Sequence, residues 1–312
     1  MLTRRLGTTG PEVSALALGC WQTFERIPRE AGVGVLRAAR EHGVSFLDTA
    51  RYDDHFGTAP IPTGYSEVLF GELLRASGWP REEAVIATKL WWEHWPRESA
   101  EQELAGSLER TGLQRYDLVY SDPPPAELPI ADVVGAIGGL LAGGRVGAWG
   151  VVNWPAERIA AAVAAAGAQG VPEPCAAQLA YSLVRRSPVE DPAMEAALAA
   201  SGASIVASAV LAGGALTGKY DDAGAGGRLA ARRDDPALAA ARDAGRRLRA
   251  LAGELDTTAA ALAIAFTIAH PACASVLVGA TSAGQVAENA VAADLLARLD
   301  GEQLARLRAI GA

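Results

Sequence analysis

Short runs of apolar and β-branched residues alternate along the chain with longer stretches in which apolar side chains recur at helical spacing. The short runs predict strands over residues 15–18, 45–48, 85–88, 118–121, 148–152, 176–179, 204–208 and 275–278. The longer stretches predict helices over 29–42, 66–77, 98–111, 130–142, 156–166, 193–201, 236–254, 257–270, 283–292 and 300–310. Such alternation demands a parallel sheet, because each parallel pair needs a crossover connection and a helix supplies it. About eight units in about 300 residues fit a closed α/β fold, the (β/α)8 TIM barrel. An open doubly wound sheet is the competing architecture, but no G-x-G-x-x-G follows the first strand. No linker divides the pattern, so residues 1–312 read as a single barrel domain. The longest irregular segment, 219–236 (KYDDAGAGGRLAARRDDP), is glycine-rich and charged at both ends, which suits a lid or a mobile surface tip.

Composition narrows the partners. Half of the 312 residues are apolar, enough for a large core. A net charge of −8 with no basic block argues against nucleic acid or an anionic membrane and leaves a small-molecule substrate. Cys20, Cys175 and Cys273 are far apart and odd in number, with no metal-binding spacing and no disulfide framework, so the expected compartment is reducing and cytoplasmic. The opening MLTRRLGTTG lacks the apolar core of a signal peptide. The apolar run 259–280 is broken by His270 and Pro271 and reads as a buried helix followed by a buried strand rather than a membrane span. Alanine is abundant and arginine is the default cation, pointing to a GC-rich genome and to specialised metabolism. No heptad or exposed apolar stripe marks an oligomer interface, so the oligomeric state is left open.

A barrel of this type gathers polar side chains at the C-terminal ends of its strands. Asp48 ends the second predicted strand and Lys89 follows the third. Ser121 and Asp122 end the fourth, Asn153 follows the fifth, Gln178 lies in the sixth and Ser208 ends the seventh. Asp48, in FLDTARYDDHFG, is a carboxylate where a buried strand becomes a loop, which is costly unless it is paired. Lys89 on the neighbouring strand is the expected partner, and it is one of only two lysines in the chain. A lysine can serve as a compact charge or release a proton where an arginine cannot. A buried Asp–Lys pair also sets a cation where it can lower the pKa of a nearby phenol. Lys219, in LTGKY, reads as a surface residue or a phosphate contact. Of the tryptophans near strand ends, Trp21 and Trp92 are the expected walls of an aromatic substrate pocket.

The segments RRLGTTGPEVSALALG, FLDTA, YSEVLFGELL, IATKLW, SLERTGLQRYDLVY, GGRVGAWGVVNW, LAGGALTGKY and VGATSAGQVAEN run from one end of the chain to the other. Through them the chain resembles the aldo-keto reductases over almost its entire length. The resemblance implies a (β/α)8 barrel with NADPH across its C-terminal face and hydride transfer to an aldehyde or ketone. It also implies a tetrad of Asp, Tyr, Lys and His, in which the tyrosine protonates the carbonyl oxygen, the Lys–Asp pair tunes it and the histidine orients the substrate. Asp48 and Lys89 match this pattern. Asn153 and Gln178 match residues that hold the nicotinamide amide, Gln285, Glu288 and Asn289 match the adenosine end, and Leu211 and Gly213 fall in the matching LAGGALTGKY segment.

Other positions depart from it. Asp53 stands where the tyrosine is expected, and Tyr52 comes one residue early; the longer, altered loop could let Tyr52 or Tyr65 swing into the site. Regular extended backbone would turn adjacent side chains opposite ways, which leaves Tyr52 pointing in or out with equal weight. Asp122 stands where the histidine is expected; beside Asp48 and Asp53 it would repel both, so that one of the three holds its proton at neutral pH, and a protonated Asp122 could donate to a carbonyl oxygen. Carboxylic acids at this position occur in family members that reduce conjugated C=C bonds. His94 and His55 are the imidazoles nearest in sequence, His94 being the candidate for the pocket, although both read more naturally as loop residues. Ser208 replaces the aromatic that stacks on the nicotinamide, and Thr281 replaces the cation that grips the 2′-phosphate, so the cofactor is NADP or NAD. Arg228, Arg232 or Arg233 of the long loop could supply the missing charge. The expected activity is therefore reduction of a carbonyl or enone. The alternatives are a dehydratase, cyclase or epimerase run by Asp53, Lys89 and Asp122 without hydride, and a non-catalytic subunit.

Overall fold

Among the described residues ten strands follow one another: β1 (Thr3–Arg5), β2 (Glu12–Ser14), β3 (Leu16–Gly19), β4 (Phe46–Asp48), β5 (Val85–Leu90), β6 (Tyr116–Ser121), β7 (Val146–Val152), β8 (Ala176–Ala180), β9 (Ser204–Ser208) and β10 (Cys273–Val278). In the computed structural model, which describes residues 1–222, 224, 226–232 and 234–311, the last eight close into an all-parallel barrel in the order β10-β3-β4-β5-β6-β7-β8-β9. The fold is the (β/α)8 TIM barrel that the alternation predicts. Every predicted barrel strand is present, with ends shifted by a residue or two; β5 extends to Leu90, so Lys89 lies inside the strand and not after it.

Alternation along the strands divides the core in two. Ala17, Phe46, Ala87, Leu118, Tyr120, Ala148, Ala176 and Val206 fill the barrel interior. Leu47, Ile86, Val119, Val151, Ala177 and Ile205 face outward and pack under the helices. Mixing alanines with Phe46, Leu118 and Tyr120 lets large and small side chains interlock inside a narrow tube. The helices approach closely: a Cβ on Gly71 of the helix Tyr65–Ser77 would overlap the Thr111 carbonyl oxygen, so only glycine fits there.

The hairpin β1–β2 has no counterpart in the predicted elements. It pairs antiparallel, Arg4 opposite Val13, and buries Leu6 and Val13 against the interior core. Arg4 donates to the carbonyls of Ile268 and Cys273, and Gly7 N to Ser204 Oγ at 2.8 Å, so the hairpin plugs the N-terminal end of the barrel. Its strands are too short, and their alternation too brief, to stand out in the sequence.

The run 259–280 becomes the helix Ala259–Ile268, buried at every residue, followed by β10. Among the described residues no single helix is long and apolar enough to cross a membrane. Cys20, Cys175 and Cys273 are free and buried. In the long segment after β9, Lys219–Asp221 and Ala230–Arg232 form short 3-10 turns. The buried Tyr220 ties them together: Leu229 N donates to its oxygen at 3.0 Å, and its hydroxyl donates to Gly213 O at 3.0 Å. Arg233 lies outside the described residues.

Candidate active site

Asp48, at the last position of β4, is 1% exposed and faces the interior. Lys89 Nζ donates to its Oδ1 at 2.6 Å, and Gln178 Nε2 donates to its Oδ2 at 2.9 Å. Both carboxylate oxygens are thus held, each by a different strand. Lys89 Nζ also donates to the Tyr52 oxygen at 3.1 Å. The ring of Tyr120, the residue opposite Lys89 in the ladder, sits with its centroid 5.8 Å from the same ammonium.

Tyr52 reaches this cluster because the chain stops being a strand at Asp48. Tyr52 N contacts Ala50 O at 3.0 Å, an i to i−2 turn, and Ser66 Oγ donates to Ala50 O at 2.8 Å. The strand alternation that left its direction open therefore does not apply, and the turn swings Tyr52 inward while Asp53 turns out. Asp53 is exposed and forms an antiparallel bridge with Thr63, which removes it from the cluster where sequence spacing had placed it. Tyr65 begins the following helix and packs on the outer core.

The electrostatics differ from expectation in two places. Burial pushes the Tyr52 phenol up, and the pull of Lys89 does not bring it below its ordinary value. Burial opposes the charged form of Lys89, but Asp48 and then Tyr52 outweigh it and hold the ammonium protonated. The cluster thus contains Asp48 carboxylate, Lys89 ammonium and a phenol that keeps its proton. Asp122 is half-buried, and burial pushes its carboxyl up to about 6, with Lys89 pulling down and Glu93 and Glu103 adding repulsion. The direction is the expected one, but burial, and not Asp48 or Asp53, is the cause for Asp122. No hydrogen bond or ion pair engages its carboxylate among the described residues. Asp122 N donates to Leu90 O at 2.9 Å, which seats it beside the end of β5.

A second layer, not foreseen from sequence, braces the site. Glu103 of the helix Ala100–Thr111 accepts from the backbone N–H of Trp91 at 2.7 Å and of Trp92 at 3.3 Å. The buried Arg51, next to Tyr52, pairs with Glu93 at 2.8 Å and lies 3.6 Å from Glu103. Buried Glu67 similarly links Arg110 at 2.7 Å to Thr88 at 3.3 Å behind β5. A signal was present: Glu103 falls on the stripe of Ala100, Leu104, Ser107, Leu108 and Thr111, and Glu67 sits beside Leu69, Phe70, Leu73 and Leu74. A carboxylate on the buried face of a helix must have a structural partner.

The aromatic wall is arranged differently from the expected pairing. Trp92 is 4% exposed and its indole N–H donates to Ser121 Oγ at 2.9 Å, so it is core rather than pocket lining. Trp91 instead stands edge-on to Tyr52 with ring centroids 5.8 Å apart. Trp21 is exposed, 6.4 Å from the Tyr52 ring, and its indole N–H donates to His55 Nε2 at 3.3 Å. His94 lies exposed in the turn after β5, and no contact joins its side chain to the cluster among the described residues.

On the opposite side of the mouth, Arg26, Lys219 and Arg228 converge. Arg228 donates to Trp21 O at 2.8 Å and lies 4.6 Å over its ring. Burial lowers Lys219, and the charges of Arg26 and Arg228 lower it further. None of the three makes an ion pair among the described residues, and the buried Arg26 Nε has no hydrogen-bond partner there. Gly214, at φ +94°, brings backbone close to Lys219, and Gly213, at φ +67°, packs against Leu229. Arg232 is bound to Asp235 at 2.5 Å. Asn153, at φ +53°, is exposed beside Gln178, and its N–H donates to Gln178 O at 2.9 Å. Ser208 is half-buried at the end of β9, and Leu211 begins the turn that holds Gly213. Thr281 donates to Gln285 Oε1, Glu288 is exposed and Asn289 is buried on the helix Ala283–Ala290. Among the described residues, no group of three or more His, Cys, Asp or Glu side chains could hold a metal ion.

Comparison with known proteins agrees with the barrel. The model of the aldo/keto reductase family matches residues 15–312. A probable voltage-gated potassium channel subunit beta from Oryza sativa subsp. japonica is 30% identical, across 99% of this chain and 96% of its own length. A protein of the same description from Arabidopsis thaliana is 30% identical, across 95% of this chain and 92% of its own.

Proposed function

The chain belongs to the aldo/keto reductase family, and from that membership and the cluster at the barrel mouth we propose that it reduces the carbonyl group of a small molecule with a nicotinamide dinucleotide. The single observation that carries this reading is the Tyr52 oxygen held 3.1 Å from Lys89 Nζ while Lys89 is held 2.6 Å from Asp48.

Because Lys89 donates to the Tyr52 oxygen, the phenol's own O–H is left to point at a substrate carbonyl. The proton stays on Tyr52 until negative charge develops on the carbonyl oxygen, and Lys89 ammonium then stabilises the phenolate. Asp48 keeps Lys89 charged, and Gln178 keeps Asp48 in place. A general acid so positioned contributes about 10²–10⁴-fold in rate.

The chain's residues fit the dinucleotide. Three cations without carboxylate partners among the described residues, one with an orphaned Nε, suit a pyrophosphate. Gln178 uses its amide N–H on Asp48, which leaves its carbonyl oxygen, with exposed Asn153, for the carboxamide. When bound, the nicotinamide supplies the hydride. Thr281 and Gln285 offer no cation for a 2′-phosphate and Arg232 is engaged by Asp235, which leaves Arg228 as the candidate grip among the described residues of the long loop.

The non-redox alternative loses one of its three residues with Asp53 turned outward. The two plant relatives are named as probable channel subunits; a non-catalytic subunit has no use for an ammonium buried between a phenol and a carboxylate. The test is consumption of NADPH or NADH with a panel of aldehydes and ketones by the wild type and Tyr52→Phe. The expected result is a loss of at least about 100-fold in kcat with nucleotide affinity kept. No nucleotide binding, or turnover in Tyr52→Phe within about twofold of wild type, overturns the proposal.

A further inference from the structure

Charge is segregated around the mouth. The cations Arg26, Lys219 and Arg228 lie after β3 and β9, with Arg228 reaching to within 3.9 Å of a Cβ built on Gly279, just past β10. In the barrel order these three strands are contiguous. Across the mouth, Asp122 follows β6, and Glu93 follows β5 with buried Glu103 behind it. One arginine, Arg51, serves both glutamates, so this side keeps an excess of negative charge. Tyr52 and Lys89 lie between the two arcs.

The bond from Asp122 N to Leu90 O carries the β5–β6 ladder one residue past Ser121, unlike the backbone after Asp48, so the alternation that turns Leu118 and Tyr120 inward and Val119 outward gives Asp122 an inward position at the mouth. Its carboxylate has no partner among the described residues, which sets it apart from Asp48, Glu67 and Glu103 around the same strand ends. Its backbone is fixed beside Leu90, so Trp91, which meets Tyr52 edge-on, is its neighbour across the ladder.

Resting on the carbonyl-reductase reading, we propose that the substrate carries a cationic amino group, held by the Asp122 carboxylate and by the aromatic face of Trp91, with its carbonyl turned to Tyr52. An ammonium there supplies the partner that the Asp122 carboxylate lacks among the described residues and gains a cation–π contact. The cationic arc across the barrel is left to the phosphates of the dinucleotide, so the two charged ligands are sorted to opposite sides. With its carboxyl pushed up to about 6, Asp122 is ionised at neutral pH and gains further from a cation that replaces its lost hydration. The compounds implied are amino ketones, amino aldehydes and keto amino sugars.

The test compares aminoacetone, its neutral isostere 2-butanone and the anion pyruvate with the NADPH-loaded protein. The expected order of kcat/KM is aminoacetone, butanone, pyruvate, with at least about tenfold between the first two, which corresponds to about 1.4 kcal/mol. Asp122→Asn closes the ratio between aminoacetone and butanone, with the loss carried in KM for aminoacetone. Equal rates for the two in the wild type, or an unchanged ratio in Asp122→Asn, overturn this inference while leaving carbonyl reduction intact. If no carbonyl compound is turned over, the carbonyl-reductase reading fails instead, and binding still decides the point about charge. Benzylammonium then quenches tryptophan emission of the holoprotein at lower concentration than benzyl alcohol, and equal affinities for the two overturn the inference.

Discussion

Replacing Lys89 with methionine removes the charge, keeps most of the stem and strands a buried carboxylate. Asp48 and Lys89 are 1% and 4% exposed and 2.6 Å apart. With the ammonium gone, the carboxylate keeps only the Gln178 amide. Breaking one side of a buried pair costs about 3–5 kcal/mol, because the remaining ion is left desolvated. The wild-type pair is stable through neutrality: Lys89 is raised above its ordinary value, so its contribution is complete below that value and fades only in strong alkali. In Lys89→Met, Asp48 relieves the penalty by binding a proton, so its pKa rises. The folded variant then binds more protons than the unfolded chain above about pH 4, and its stability falls as pH increases. The gap between wild type and variant therefore widens from acid to neutral pH. Urea denaturation at a series of pH values, with Asp48→Asn and the double variant, measures it. The double variant leaves no buried ion and should cost at least about 2 kcal/mol less than the two single losses added together. A Lys89→Met penalty below about 1 kcal/mol at pH 7.5, or one that does not change with pH, refutes the reasoning.

Three further outcomes are expected. Glu103→Gln loses one of the two backbone acceptors beneath Trp91 and Trp92, so it should cost about 1–3 kcal/mol in urea unfolding and lower kcat without weakening nucleotide binding. Asp122 in the folded protein binds protons up to about 6 against an ordinary 3.8, so between those values the wild type loses stability as pH rises; Asp122→Asn should not, and Tm measured across that window should show the variant gaining on the wild type. Lys219→Met should weaken dinucleotide binding about tenfold and flatten its salt dependence in calorimetric titrations, whereas a purely surface lysine would change neither.

The barrel was legible because it is written in a period: each strand is a short apolar run and each helix a striped one, and neither depends on distant residues. Asp48 and Lys89 were legible for a related reason. Two opposite charges at the ends of adjacent parallel strands have few other ways to be buried. The hairpin that plugs the barrel was not, since its three-residue strands are defined by Ser14, Ser204 and the carbonyl of Cys273, which lie far apart in sequence. Trp92 was misjudged because a tryptophan at a strand end looks the same in sequence whether it lines a pocket or bonds to Ser121; only the φ of +62° at Trp92, which turns it away from the direction of Trp91, separates them.

Tyr52 teaches the most about what spacing can carry. Within a strand, moving a residue by one position reverses its face, and by that rule a tyrosine one residue early is lost to the site. Past Asp48 the rule ends, because the backbone from Ala50 to Tyr52 turns and is held by Ser66 and by the bridge between Asp53 and Thr63. What the chemistry needs is a phenol at hydrogen-bond distance from the Lys89 ammonium, and a loop can deliver that from more than one register. Asp48 and Lys89, on strands, have no such freedom, whereas Tyr52 and Asp122 follow their strands on loops. On the proposed reading the strand residues fix where a proton is given, and the loops at Tyr52 and Asp122 are where this chain can differ in what it gives the proton to.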